Sequence, residues 1–248
     1  GTQDRLGAGP LRARGRRRSG LPLEPDALPE AALALDRAQE GPLVLIIHTH
    51  ATEAYTGSPD FHSTDPEKSV VRVGQAIADA LNARGIPTVH ETSLIDLGNY
   101  NDAYPRMAGL AEDWLARYPS IQMVLDVHRD AVENPDGTQV CYTTELDGER
   151  CAQVMLVVGT DEGGLEHPHW RENLANALKL QALLNRSYPG LCRPIDLRTE
   201  RFNAHTSPGA LLAEFGAAGN TLPEAIRAGR YFAQGVAEFI QAAARTDA

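Results

Sequence analysis

The chain has 248 residues, 42% of them hydrophobic and 23% charged, which is the balance of a globular protein with material for one sizeable α/β domain. Its net charge of −10 argues against a broad nucleic-acid-binding face, which needs a surplus of Lys and Arg. The sequence contains no run near the roughly 20 apolar residues that span a bilayer, and it opens without a signal-like segment, so a cytosolic protein or a trimmed ectodomain is expected.

Charge is unevenly spread. Residues 1–20 hold six Arg and one Asp, or +5, against −15 in the remainder. This start is rich in Gly, Pro and Arg, so residues 1–29 are expected to be a disordered, Arg-rich tail or linker and residues 30–248 a single folded domain. A short Ala/Leu helix is expected near 28–38. Residues 43–48 follow as a buried apolar strand after Gly41-Pro42, and that strand ends abruptly in His48-Thr49-His50-Ala51-Thr52-Glu53. In open α/β sheets, sites are built where strands stop. His50 and Glu53 there supply one imidazole and one carboxylate, a donor mixture suited to hydrolytic zinc, with Glu67 and His48 as alternative donors.

A helix is expected over about 66–83, with Pro66 and Glu67 in its first turn, Gly85 past its end, and Val70, Val73, Ile77 and Leu81 as its core stripe. Strand 87–91, a polar loop through Tyr100 and Tyr104, and a helix over about 105–118 come next. In the strand expected at 121–128, period-two alternation puts Asp126 and His128 on one face. His128 then completes a His50, Glu53, His128 set around one zinc ion, with Asp126 behind a ligand and Arg129 available for a developing oxyanion or a substrate carboxylate. A hairpin is expected over about 138–158, turning at Asp147-Gly148 and ending in the buried arm Met155-Leu156-Val157-Val158. That register separates Cys141 from Cys151 and disfavours a disulfide between them.

A helix over about 169–187, with Trp170, Leu174, Leu178 and Leu184 near one face, leads to a strand near 193–198. Before strand 210–215, the polar loop 201–209 offers Asn203 and His205 as weaker site residues. Within the strand itself, Glu214 is a lone carboxylate among apolar neighbours, which is costly to bury without a role. It is assigned as general base and acid. A final helix is expected over about 222–244. The alternation of strands and helices predicts a mixed, largely parallel sheet with helices on both faces.

The segments IIHTHATEAY, SVVRVGQAIADAL, DVHRDA, VMLVVGT, ENLANALKLQALL, YPGLCRPI and SPGALLAEFGAAGNTLPEA, in that order, resemble the stage II sporulation protein P family. The resemblance covers about residues 42–244. It implies a phosphorylase/hydrolase-like α/β fold shared with cell-wall amidases and zinc carboxypeptidases. It also implies a zinc-dependent N-acetylmuramoyl-L-alanine amidase with endopeptidase activity on peptidoglycan cross-links. Two His and a Glu hold zinc in such proteins and a late-strand Glu is catalytic, roles that His50, Glu53, His128 and Glu214 fit by position. The family's usual N-terminal membrane anchor is not in this sequence, so Gly1 is expected to lie downstream of it. The implied location is the extracytoplasmic face of the septal, engulfing membrane of a sporulating bacterium. Stage II sporulation proteins D and M are the implied partners. Two rival readings are a zinc carboxypeptidase acting on free peptides and a non-catalytic wall-binding module.

Overall fold

The computed structural model describes residues 3–6, 13–17 and 39–243. In chain order the elements are β1 (Gln3–Leu6), β2 (Ala13–Arg17), β3 (Val44–Ile47), α1 (Val70–Asn82), β4 (Thr88–His90), α2 (Ala103–Arg117) and β5 (Met123–Asp130). They continue with β6 (Thr143–Leu146), β7 (Glu149–Ala152), β8 (Val154–Val158), α3 (Trp170–Ser187), β9 (Ile195–Leu197), β10 (Ala210–Ala217) and α4 (Leu222–Ala243). Eight strands form one sheet in the order β1-β2-β9-β8-β10-β5-β3-β4. Its pairs are parallel except β1 with β2 and β8 with β10, so the sheet is mixed and largely parallel, as the element order predicts.

Alternation along each strand divides the core. Val44, Ile46, Met123, Leu125, Val127, Leu211, Ala213 and Phe215 face α1, α3 and α4 in the larger apolar cluster, where Phe215 meets Phe232 edge to face at 5.2 Å. Leu45, Ile47, Val124 and Ala210 face the other way, onto Met107 and Ala111 of α2. Farther along β5 and β10 the face that carries α2 turns polar, with Asp126, His128 and Glu214. This change of polarity on one face is what creates the site.

Several boundaries differ from expectation for local reasons. Pro66–Lys68 form a separate 3₁₀ turn, because Ser69 is extended and caps α1 by accepting a hydrogen bond from the Val71 amide at 3.2 Å. The expected stripe Val70, Val73, Ile77 and Leu81 is fully buried. The turn at Asp147-Gly148 has both residues at positive φ, 53° and 76°, and pairs Leu146 with Glu149 and Thr144 with Cys151. All three cysteines are free. The last arm of the expected hairpin behaves differently: β6 and β7 pair only with each other, while β8 enters the main sheet between β9 and β10. All five residues of β8 are buried, a pattern that requires cover on both faces. Within the segment expected to be a tail, residues 3–6 and 13–17 form β1 and β2, and β2 pairs with β9. The rest of that segment and the helix expected at 28–38 lie outside the described residues.

Gly216 shapes the end of β10. The pairing of β10 with β5 shifts register between Glu214 and Ala217, and Gly216 has φ +70° there. An added Cβ would lie 2.6 Å from Asn220 Oδ1. That oxygen accepts hydrogen bonds from the Ala217 and Tyr142 amides. Gly216→Ala is therefore expected to cost about 2 kcal/mol or more, from the left-handed backbone and the displaced Asn220. Urea unfolding measures the cost. A variant as stable as the wild type would show that the bulge is not held in place by Asn220.

Candidate active site

The site lies where β3, β5 and β10 run out. His50 and Glu53 sit on the turn after β3, both only 5% exposed, and the Glu53 amide donates to the His50 carbonyl at 3.1 Å. His128, on β5, is the Cα partner of Glu214 on the adjacent β10, so period two directs both side chains to the same face. His128 Nδ1 is 3.3 Å from Glu53 Oε2, and the His50 and His128 ring centroids are 5.5 Å apart. The sequence-assigned residues His50, Glu53, His128 and Glu214 are thus brought together.

Asp126 stands behind His128, its Oδ1 2.9 Å from Nε2 but off the line of a good hydrogen bond. Its carboxylate is held by Thr49, whose amide donates at 2.9 Å and whose hydroxyl donates at 2.6 Å. Asn203 reaches in from the loop before β10 and donates to the Thr49 hydroxyl at 3.0 Å. Asp126 and Asn203 therefore form a buried support beneath His128. His205 lies half-buried on the turn Ala204–Thr206, where burial and then the charge of Arg201 lower its pKa. Glu67 is exposed and pairs with Arg72 at 3.2 Å.

Charge at the site follows from this packing. Burial alone would lower the His128 pKa, but the carboxylates of Asp126 and Glu53 hold it well above its ordinary value. Burial works in the opposite sense on Glu53 and Asp126. It is outweighed at Glu53 by His128 and Arg129, and at Asp126 by His128 and Thr49, so both stay below the usual carboxylate range. Glu214 is the exception: burial and then the charge of Asp130 push its pKa up to about 8. Its Oε2 is buried with no hydrogen-bond partner among the described residues.

Arg129 points to the opposite face of the sheet from His128. Its guanidinium donates to the carbonyls of Ala54 (2.9 Å), Phe61 (2.9 Å) and Asp130 (3.4 Å), and its amide donates to Glu53 Oε2 at 3.1 Å. It thereby fixes the 54–61 loop and orients Glu53. His48 also faces away from the site, beneath α1, where a Cβ on Gly74 would come within 2.5 Å of its Nε2. Its Nδ1 donates to the Val127 carbonyl at 2.9 Å, so Nε2 is left to accept from His90 Nε2 at 2.8 Å.

Burial lowers the pKa of His48 to about 3 and that of His90 to about 4, so both are neutral in the folded protein. The unfolded chain takes up protons first, below about pH 6.5. Stability from these groups is therefore complete above that pH and lost as pH falls towards 4. His90→Asn is expected to flatten this acid slope, measured by urea unfolding at pH 7 and pH 4.5; an unchanged slope would remove His90 from the account.

Sequence patterns did not single out four further groups. Tyr100 lies flat on His50, with centroids 3.9 Å apart and planes at 8°, and Tyr104 meets the same ring edge-on at 5.2 Å. Asp96 ties the 92–100 loop to the ligand turn by accepting from the Thr52 amide and hydroxyl at 3.1 and 2.6 Å. Arg193 bonds Asp130 at 2.8 Å and stacks on Tyr142 at 3.6 Å, close enough to Glu214 to act on its charge. The only sequence signal was a pair of tyrosines in a polar loop.

Hydrolytic zinc takes a mixed set of nitrogen and oxygen donors. The donor types of His50, Glu53 and His128 suit it, and His50 Nδ1 is a buried nitrogen with no partner among the described residues. Among the described residues, however, no three His, Cys, Asp or Glu side chains already stand in metal-ligating geometry, because His128 and Glu53 are turned towards each other. The donor set fits zinc in kind, with Glu53 and the His50 ring both beside His128.

The architecture is that of the cell-wall amidases. It superposes on the N-acetylmuramyl-L-alanine amidase Ami1 from Mycobacterium smegmatis with a TM-score of 0.51 at 12% identity, covering 82% of this chain and 98% of that one. The CwlD amidase from Clostridioides difficile, solved in complex with the GerS lipoprotein, gives 0.50 at 11% identity over 83% of this chain and 100% of that one. At such identity the likeness concerns the fold. A family model described as stage II sporulation protein P matches residues 16–237, and the chain belongs to that family. It is 30% identical over 219 residues to the stage II sporulation protein P of Bacillus subtilis (strain 168), covering 78% of this chain and 52% of that protein. It thus spans about half the length of that relative.

Proposed function

We propose that this chain is a zinc-dependent peptidoglycan hydrolase, an N-acetylmuramoyl-L-alanine amidase that also cuts peptide cross-links, acting in septal wall remodelling and engulfment during sporulation. The observation that carries this reading is the convergence of His50, Glu53 and His128 beside Glu214, a half-buried carboxyl with one buried, unpartnered oxygen. Family membership and the amidase fold support the substrate class.

In this reading His50, Glu53 and His128 hold the metal, and Asp126 orients His128 from behind. Zinc, when bound, supplies Lewis acidity to the scissile carbonyl and acidifies a water molecule. Glu214, ionised, takes the proton of the attacking water and then, as the acid, delivers it to the leaving amine nitrogen. The lactyl-alanine bond and a peptide cross-link are both amides, so one such arrangement serves both. Arg129 and Arg193 are spent on protein partners, which disfavours a carboxypeptidase that needs a cation for a terminal carboxylate.

Action at the extracytoplasmic face and partnership with stage II sporulation proteins D and M belong to the same proposal and rest on family membership alone. Among the described residues no helix is long and apolar enough to cross a membrane. The test is incubation of the zinc-loaded chain with purified sacculi and analysis of the products by mass. Release of free stem peptides from intact glycan supports the amidase reading. Digestion of free peptides with sacculi left intact would overturn it.

A further inference from the structure

Tyr100 combines two features that rarely meet. Its ring lies parallel to His50 at 3.9 Å, yet the residue remains 50% exposed. A ring covered on one face by an imidazole and still half exposed presents its other face to solvent. Three residues earlier in the same loop, Leu97 is 48% exposed. The loop does not float freely, because Asp96 holds it to the ligand turn through Thr52. Tyr104 further fixes the His50 ring from its edge. The exposed aromatic face is therefore pre-positioned, one ring thickness from a residue of the proposed zinc shell.

We infer that Tyr100 is a sugar platform, on which the apolar face of the muramic acid ring stacks while its lactyl amide lies at the metal. The inference rests on the amidase reading above. In the scissile unit one side of the amide is a neutral pyranose with a flat C–H face and the other is a stem peptide that carries carboxylates. A flat aromatic surface matches the first. It offers the second no cation to pair with a carboxylate.

The platform also predicts a difference between the two proposed activities. A cross-link lies far along the stem peptide from the sugar, so its cleavage does not use Tyr100. The experiment is a binding titration of the zinc-loaded wild type, Tyr100→Ala and Tyr100→Trp against a disaccharide tripeptide and against the same tripeptide without sugar, with metal content measured for each protein. Tyr100→Ala should weaken disaccharide-tripeptide binding by about five- to tenfold, leaving tripeptide binding and metal content unchanged. Tyr100→Trp should retain binding, because it keeps the flat face. Equal weakening for both ligands, or loss of metal in Tyr100→Ala, would overturn the platform alone and reduce Tyr100 to packing for His50. Wild-type protein that binds neither ligand would overturn the amidase reading and the platform together.

Discussion

Replacing Glu214 by Gln is expected to lower amide hydrolysis by about three orders of magnitude while zinc stays bound and the fold stays intact. Gln keeps the shape of the side chain but cannot accept a proton from water. Glu214 stands outside the proposed ligand set, on β10 across from His128, so its replacement leaves all three donors in place. The stability effect has a definite sign. Burial and Asp130 raise the Glu214 pKa to about 8, which means that the folded protein favours the uncharged form. In the metal-free protein at neutral pH and above, a neutral Gln removes a burial cost that the unfolded chain does not bear, so the melting temperature measured with a chelator present should hold or rise. A purely structural Glu would give the opposite result, a lower melting temperature with activity falling only in step. Zinc content, melting temperature and muropeptide release, measured on one preparation, separate the two. Wild-type turnover in Glu214→Gln would remove this residue from the chemistry.

The part of this arrangement that was legible in sequence is the part carried by period-two alternation within apolar strands. Asp126 and His128 fall on one face of β5 for that reason, and Glu214 stood out because β10 is otherwise apolar. The same rule places Arg129 on the far face, although chain adjacency to His128 suggested a role over the reacting carbonyl. Its guanidinium instead meets the carbonyls of Ala54 and Phe61, partners 75 and 68 residues away. Such a contact depends on how the 54–61 loop folds back, which no local pattern encodes. His48 presents the same problem. It belongs to the His-x-His stretch by sequence, but it lies beneath α1 because Gly74 leaves room for its ring.

The fold was legible for a related reason. Helix stripes and strand runs are local signals, and they placed α1, α2, α3, α4, β3, β5 and β10 to within a few residues. The entry of β8 into the main sheet was not, because a five-residue apolar run does not say which neighbours it will have. Tyr100 and Asp96 were hidden for a stronger reason. Their loop has neither period, and only the tertiary contacts with His50 and Thr52 give these two residues a place at the site.

His128→Ala and His50→Ala should both abolish zinc binding and hydrolysis, but they should differ sharply in the metal-free protein. His128 is buried between two buried carboxylates, Glu53 at 3.3 Å and Asp126 at 2.9 Å. Removing it leaves both acids without their shared cation, and breaking a buried pair from one side costs about 3–5 kcal/mol. The lower end applies here, because Glu53 keeps the Arg129 amide and Asp126 keeps both hydrogen bonds from Thr49. His50 has no such duty: its Nδ1 has no hydrogen-bond partner among the described residues, and its ring packs against Tyr100 and Tyr104. Its loss should therefore cost metal-free stability only about 1 kcal/mol, the scale of an aromatic contact. Urea unfolding in the presence of a chelator reads this difference, and metal analysis reads occupancy. Acidification supplies a second check, since protonating the stranded carboxylates should recover part of the His128→Ala deficit and none of that in His50→Ala. Full zinc occupancy in His128→Ala would show that the metal, if held at all, is held by a different set of side chains.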